Sequence, residues 1–133
     1  MILLLDTDVL IDVALGREPH AEASGRLIDG LERRPGSAFV AWHSVSNFYY
    51  LVAPARGGAD AKSFIEELTS FVDVAPTSTA DLRYATRLPL ADFEDAMQVA
   101  AATACGAEII ATRNVRDYEG SPIPARTPAE LLE

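Results

Sequence analysis

Apolar and polar residues are arranged along this chain in short apolar runs alternating with longer stretches of helical period. Residues 2–5 form an unbroken apolar run that stops at Asp6, as expected of a short strand buried on both faces. Residues 7–15 read as a helix ended by Gly16. Residues 19–33 read as a second helix, with Ala23, Leu27, Ile28 and Leu31 on one stripe and Pro35-Gly36 as its stop. Residues 38–41 are the next strand, and 44–52 a helix in which Val45, Phe48, Tyr49 and Val52 share a face. Pro54 and Gly57-Gly58 predict a turn, followed by a helix over 61–68 with Phe64, Ile65 and Leu68 inward. Residues 71–75 predict a strand ended by Pro76, and 79–88 a helix stopped near Pro89. Residues 93–105 predict an Ala-rich helix able to approach a sheet closely, capped by Gly106. Residues 108–111 predict another strand, then a polar turn over 112–117. The tail carries a capping box, with Thr127 as N-cap, Pro128 at the first helical position and Glu130 three residues after the cap.

This alternation predicts a single α/β domain over residues 1–133, three layers deep, with a mostly parallel sheet of four or five strands. No repeat or linker divides the chain, and its 133 residues suffice for a core without staples. No apolar run approaches the roughly 20 residues of a membrane span. The opening Met1-Ile2-Leu3-Leu4-Leu5 lacks a basic flank and does not read as a signal peptide. The one cysteine, Cys105, cannot form an internal disulfide and reads as a small buried hydrophobe, which suits a reducing, cytoplasmic setting. Eleven basic against twenty acidic side chains give a net charge of −9. That argues against a broad basic face for nucleic acid and suits a basic partner, without excluding a site in which a metal offsets carboxylate charge.

Ligands of an open parallel sheet bind beyond the carboxyl ends of the strands. Three polar clusters fall there: Asp6-Thr7-Asp8 after the first strand, Asp92-Phe93-Glu94-Asp95 at the start of the Ala-rich helix, and Thr112 to Asp117 after the last apolar run. Asp92 and Asp95 share a face of the first helical turn, where the helix dipole favours them, so a capping role competes with a functional one. A carboxylate ending an apolar strand is harder to explain by packing, which favours a functional Asp6; Asp8 reads as part of the helix start. Such a cluster suits a hard divalent ion, Mg²⁺ or Mn²⁺, which prefers oxygen ligands.

These motifs resemble the PIN domain, and most of all its toxin nucleases from type II toxin–antitoxin pairs (VapC-like). Residues 4–12, Leu-Leu-Asp-Thr-Asp-Val-Leu-Ile-Asp, resemble the family's opening strand and first acidic residue, Asp6. Residues 92–98, Asp-Phe-Glu-Asp-Ala-Met-Gln, resemble the segment of its central metal-binding aspartate, which falls on Asp95. Residues 112–118, Thr-Arg-Asn-Val-Arg-Asp-Tyr, resemble the closing motif, with Asn114 and Asp117. The resemblance implies a metal-dependent endoribonuclease in which Asp6 and Asp95 are the main ligands, Asn114 and Asp117 complete the site, and Asp92 and Asn47 stand at its margin. It also implies an RNA substrate, a small antitoxin that blocks the acidic edge, and a homodimer. The chain departs from the family where a glutamate is usual: Trp42-His43-Ser44-Val45-Ser46-Asn47 places an amide there, which can ligate through oxygen but brings no charge.

Neighbouring residues have plainer readings beside functional ones. His43 suits a general base, but a strand-end or helix-cap histidine is the simpler expectation; His20 earns no role. Trp42, Phe48, Tyr49 and Tyr50 read as core or dimer face ahead of base-stacking. Arg113 and Arg116 flank the acidic edge, either to contact phosphate or as a solvated turn. Two rival functions remain: a PIN-fold binding protein of weak or no activity, because of Asn47, and an aspartate-nucleophile phosphatase with Asp6 attacking. The latter wants a lysine near a later strand end, whereas the only lysine, Lys62, lies in a predicted helix.

Overall fold

The computed structural model describes residues 1–133. Five parallel strands lie in the order β3-β2-β1-β4-β5: β1 is Leu3–Leu5, β2 Ala38–Val40, β3 Asp73–Val74, β4 Ile109–Ala111 and β5 Ala125–Arg126. The helices are α1 (Thr7–Leu15), α2 (His20–Glu32), α3 (Trp42–Arg56), α4 (Gly58–Leu68), α5 (Thr79–Thr86), α6 (Phe93–Ala104) and α7 (Pro128–Leu131), with a 3₁₀ turn over Val115–Tyr118.

The strand period of two sorts β1 between two cores. Leu3 and Leu5 pack with Val9, Leu10, Leu27, Leu31, Phe48 and Val52 of α1, α2 and α3 on one face. Leu4 packs with Ile110 and with Val99, Ala101 and Ala102 of α6 on the other. Ala85 of α5 then meets Ala96 and Ala100 on the outer side of α6. The expected three-layer α/β fold is therefore present, and the sheet is wholly parallel. The unbroken apolar run of β1 is explained by a strand covered on both faces. No helix is long and apolar enough to cross a membrane.

Local signals fix most boundaries. Gly16, at φ 62°, adopts the left-handed conformation that glycine favours and closes α1 onto the carbonyls of Asp12 and Val13. The Thr127–Glu130 capping box opens α7 as its spacing predicts. One expectation is corrected, and one element is new. Helix α3 starts at Trp42 and runs through Pro54 to Arg56, where a turn was expected. Pro54 removes one hydrogen bond close to the helix end, and the Gly57 N–H still reaches the Ala53 carbonyl at 2.8 Å. The fifth strand, Ala125–Arg126, carries no apolar run; it is recruited by Ile110 and Thr112, whose N–H groups donate to Pro124 and Arg126.

Candidate metal centre

β1 and β4 run side by side in register and end together, so the segments after Leu5 and Ala111 emerge at one edge. The Asp6 N–H donates to the Ala111 carbonyl at 2.9 Å, locking the two exits. Asp6 is also the N-cap of α1: Oδ1 accepts from the Thr7 N–H at 2.7 Å, while Oδ2 accepts from the Tyr118 hydroxyl at 2.9 Å. One buried carboxylate thus caps α1 and stands at the carboxyl edge of the sheet.

Asp92 caps α6 by accepting the Asp95 N–H at 3.1 Å, which sets Asp95 in the first helical turn. Asp95 is 8% exposed, yet no N–H or O–H of the protein donates to its carboxylate. Asp6, Asp8, Asn47, Glu94, Asp95, Arg113 and Asn114 all line one open pocket at this edge. Asp92, Glu94 and Asp95 can each bring a carboxylate oxygen within 4.8 Å of the others. Asp117 is exposed and stands outside the pocket lining, but its charge is felt at Asp95. Arg116 is exposed, and His20 begins α2 beside a different pocket.

Burial, and after it crowding of like charge, marks the site. Burial pushes the Asp95 carboxyl up to about 7, aided by the charges of Asp6, Asp92, Glu94 and Asp117. Burial and then Asp6 push Asp8 up to about 7, against hydrogen bonds from Thr112 and Arg113. Asp6 is raised by burial and by Glu94, against bonds from Tyr118, Thr112 and Thr7. Burial also raises Glu94, but hydrogen bonds from His43 and Gln98 and the charge of His43 bring it below its ordinary value. A pocket of oxygen donors whose carboxylates resist ionising beside one another fits a hard divalent cation, which would relieve that repulsion. Arg17 and Arg113 also line the pocket, yet Asp8 Oδ1 stays buried without a hydrogen-bond partner.

Several residues of the site escape a reading of the sequence. Asp8 is more than a helix-start residue: Oδ2 accepts from the Thr112 hydroxyl at 3.0 Å, the Arg113 N–H at 3.3 Å and the Asn114 amide at 3.0 Å, and so shapes the closing loop. Asp12 is buried and pairs with the Nε of Arg113, a partly exposed side chain that also lines the pocket, so the arginine is anchored rather than merely solvated. Its place one turn after Asp8 on α1 was the available signal. His43 is not a cap, since Ala41 holds that position; its Nε2 lies 2.7 Å from Glu94 Oε2. Glu94, which the sequence offers only as a member of the cluster over 92–95, also lines the pocket. Of the aromatics, Phe48 is core, stacked on Phe64 with centroids 4.8 Å apart, and Tyr49 packs against the same core. Trp42 and Tyr50, 74% and 73% exposed, are not core. The thiol of Cys105 is half-buried and pushed up by burial.

A family model described as PIN domain matches residues 3–116. No curated protein matches the chain. Among solved structures, the chain is similar to VapBC2 of Rickettsia felis bound to a promoter DNA fragment, at 14% identity and TM-score 0.72, covering 96% of this chain and 98% of that one. It is similar to VapC20 of Mycobacterium tuberculosis, a toxin cleaving the sarcin-ricin loop, at 16% identity and TM-score 0.69, covering 90% and 95%. DNA-bound VapBC of Salmonella typhimurium matches at 15% identity and TM-score 0.72, covering 96% and 98%.

Proposed function

This chain belongs to the PIN-domain family, and from that premise we propose that it is a Mg²⁺- or Mn²⁺-dependent endoribonuclease, the toxin of a toxin–antitoxin pair. The observation that carries the reading is that Asp6 and Asp95, far apart in the chain, line one pocket rich in carboxylates at the carboxyl edge of a parallel sheet. In this reading Asp6 and Asp95 are the main ligands. Asn114 and Asp117 complete the site, with Asp92 and Asn47 at its margin. A bound divalent ion would supply Lewis acidity and offset the charge that builds on the phosphate. Tyr118 and the Thr7 N–H hold Asp6 in place, and the Asp92 cap holds the α6 turn that carries Asp95. Water attacks the phosphodiester in line as the P–O bond opposite it breaks, the departing oxygen takes up a proton to become a hydroxyl, the phosphate stays on the other product, and no covalent intermediate with the protein forms.

The neighbouring structures support the partners in this proposal: one is a toxin that cleaves the sarcin-ricin loop, and two are VapBC assemblies on DNA. A small antitoxin with an arginine would match the carboxylates. The exposed Trp42, Tyr50 and Leu51 offer apolar surface for such a partner or for a second copy of the chain. A reducing cytoplasmic setting belongs to the same proposal.

The test is RNA cleavage with added Mg²⁺ or Mn²⁺, comparing wild type with Asp95→Asn. Metal-dependent cleavage that disappears in the variant supports the reading; equal activity removes Asp95 from the mechanism. Asn47 in the pocket favours a second reading, a PIN-fold protein that binds metal weakly and acts through a partner. Calorimetry with Mn²⁺ separates them: no binding at millimolar metal favours the second. The phosphatase alternative finds no lysine here, since Lys62 lies on α4 and lines another groove.

A further inference from the structure

We infer that Glu94, held by His43 and Gln98, is a third carboxylate of the metal site and supplies the negative charge that Asn47 does not. The inference rests on the metal-site reading above and assigns it a further ligand.

The side chain of Glu94 is fixed by two donors on one oxygen. His43 Nε2 lies 2.7 Å from Oε2, and the Gln98 amide donates to the same Oε2 at 2.8 Å. Gln98 is itself fully buried and anchored, its Nε2 also lying 2.6 Å from Ser44 Oγ and 3.3 Å from Thr7 Oγ1. The Thr7 hydroxyl in turn donates to Ser44 at 2.8 Å. One polar chain therefore ties α1, α3 and α6 together beneath the pocket and ends on Glu94. Both donors occupy Oε2, and no N–H engages Oε1. Outer partners that hold one oxygen of a carboxylate while the other stays available are the usual support of a ligating side chain.

Two separate observations point to a cation at this place. The carboxylate oxygens of Glu94, Asp92 and Asp95 come within 4.8 Å of one another, a spacing that one ion and small side-chain adjustments can bridge. Asp95, nine-tenths buried and lining the same pocket, has a carboxylate with no donor of its own. Its oxygens are not sealed off but open onto the pocket, so this largely desolvated carboxylate, stabilised by no protein donor, is free to take a cation there. Asn47 lines this pocket too, so the charge missing on α3 is replaced from α6 within the same space.

The experiment is calorimetric titration of Mn²⁺ into the full chain as wild type, Asp95→Asn and Glu94→Gln, with metal-free thermal midpoints measured alongside. Glu94→Gln is expected to bind Mn²⁺ roughly tenfold or more weakly than wild type, with a metal-free midpoint close to it. Wild-type affinity in Glu94→Gln, together with loss of binding in Asp95→Asn, overturns the role of Glu94 and leaves the site standing. Wild type that binds no Mn²⁺ at millimolar concentration overturns both. Should Glu94→Gln fail to fold, Glu94→Asp, which keeps the charge but withdraws it by one methylene, is judged by the same comparison.

Discussion

The guanidinium Nε of Arg113 lies 2.7 Å from Oδ2 of Asp12, a carboxylate with essentially no solvent exposure. The hydrogen bond raises the arginine's already high pKa and ties the loop after β4 to the buried face of α1. It also engages the guanidinium with Asp12, so that Asp6 and Asp95 are left without a direct arginine partner.

Removing this arginine should therefore act on stability first. Arg113→Ala leaves Asp12 buried and unpaired, with Oδ1 already lacking a partner. The expected cost is about 3 kcal/mol, read from urea denaturation at pH 7. A loss below about 0.5 kcal/mol, the scale of an ordinary surface substitution, would show that solvent compensates Asp12 and that the pair is peripheral.

Tyr118→Phe removes the hydroxyl that donates to Asp6 at 2.9 Å without opening a cavity. Hydrogen bonds to charged groups contribute about 1.5–3 kcal/mol, so a destabilisation up to that range is expected, growing with pH as Asp6 ionises. The same change pushes the Asp6 carboxyl further up, because one of the bonds that lowers it is gone. NMR titration of the Asp6 carboxyl carbon reads this directly, and an unchanged titration would contradict it.

The metal-free protein should lose stability as pH rises. Asp8 and Asp95 titrate at 3.8 ordinarily and at about 7 in the fold, and Asp6 is raised as well. Between those values the native state holds more protons than the unfolded chain, so stability falls with increasing pH. The contribution is fully present below about pH 4 and is lost as pH passes through about 7. Thermal midpoints in EDTA from pH 4 to 9 should show this decline, superposed on the opposite behaviour of carboxyls such as Glu94. Millimolar Mn²⁺ should restore the midpoint chiefly above pH 7, since an ion that binds only the native state stabilises it. A midpoint that rises with pH in EDTA would show that the carboxylates do not strain one another.

The aromatic residues of α3 should divide sharply. Phe48→Ala empties a fully buried site stacked on Phe64 and should cost about 3–5 kcal/mol. Trp42→Ala, at a largely exposed position on the same helix, should change stability by less than about 0.5 kcal/mol. Parallel urea denaturation of the two variants measures the contrast; similar losses would mean that Trp42 is covered in solution.

By itself the sequence determined the architecture. Strand and helix periods, glycine stops and capping boxes act over a few residues, so the apolar run of β1, the Gly16 stop and the Thr127–Glu130 box could be read directly. The alternation of those elements brought the ends of β1 and β4 and the start of α6 to one edge, and with them Asp6, Asp95 and Asn114. Only the tertiary structure decided which polar side chains meet there. Glu94 joins His43 through a bond spanning 51 positions, and Arg113 joins Asp12 across 101. The reach and burial of a side chain depend on what packs around it, and helical phase sees only one turn. The two-residue strand β5 was hidden for the same reason: its pairing comes from the open edge of β4, not from any preference of Ala125 and Arg126.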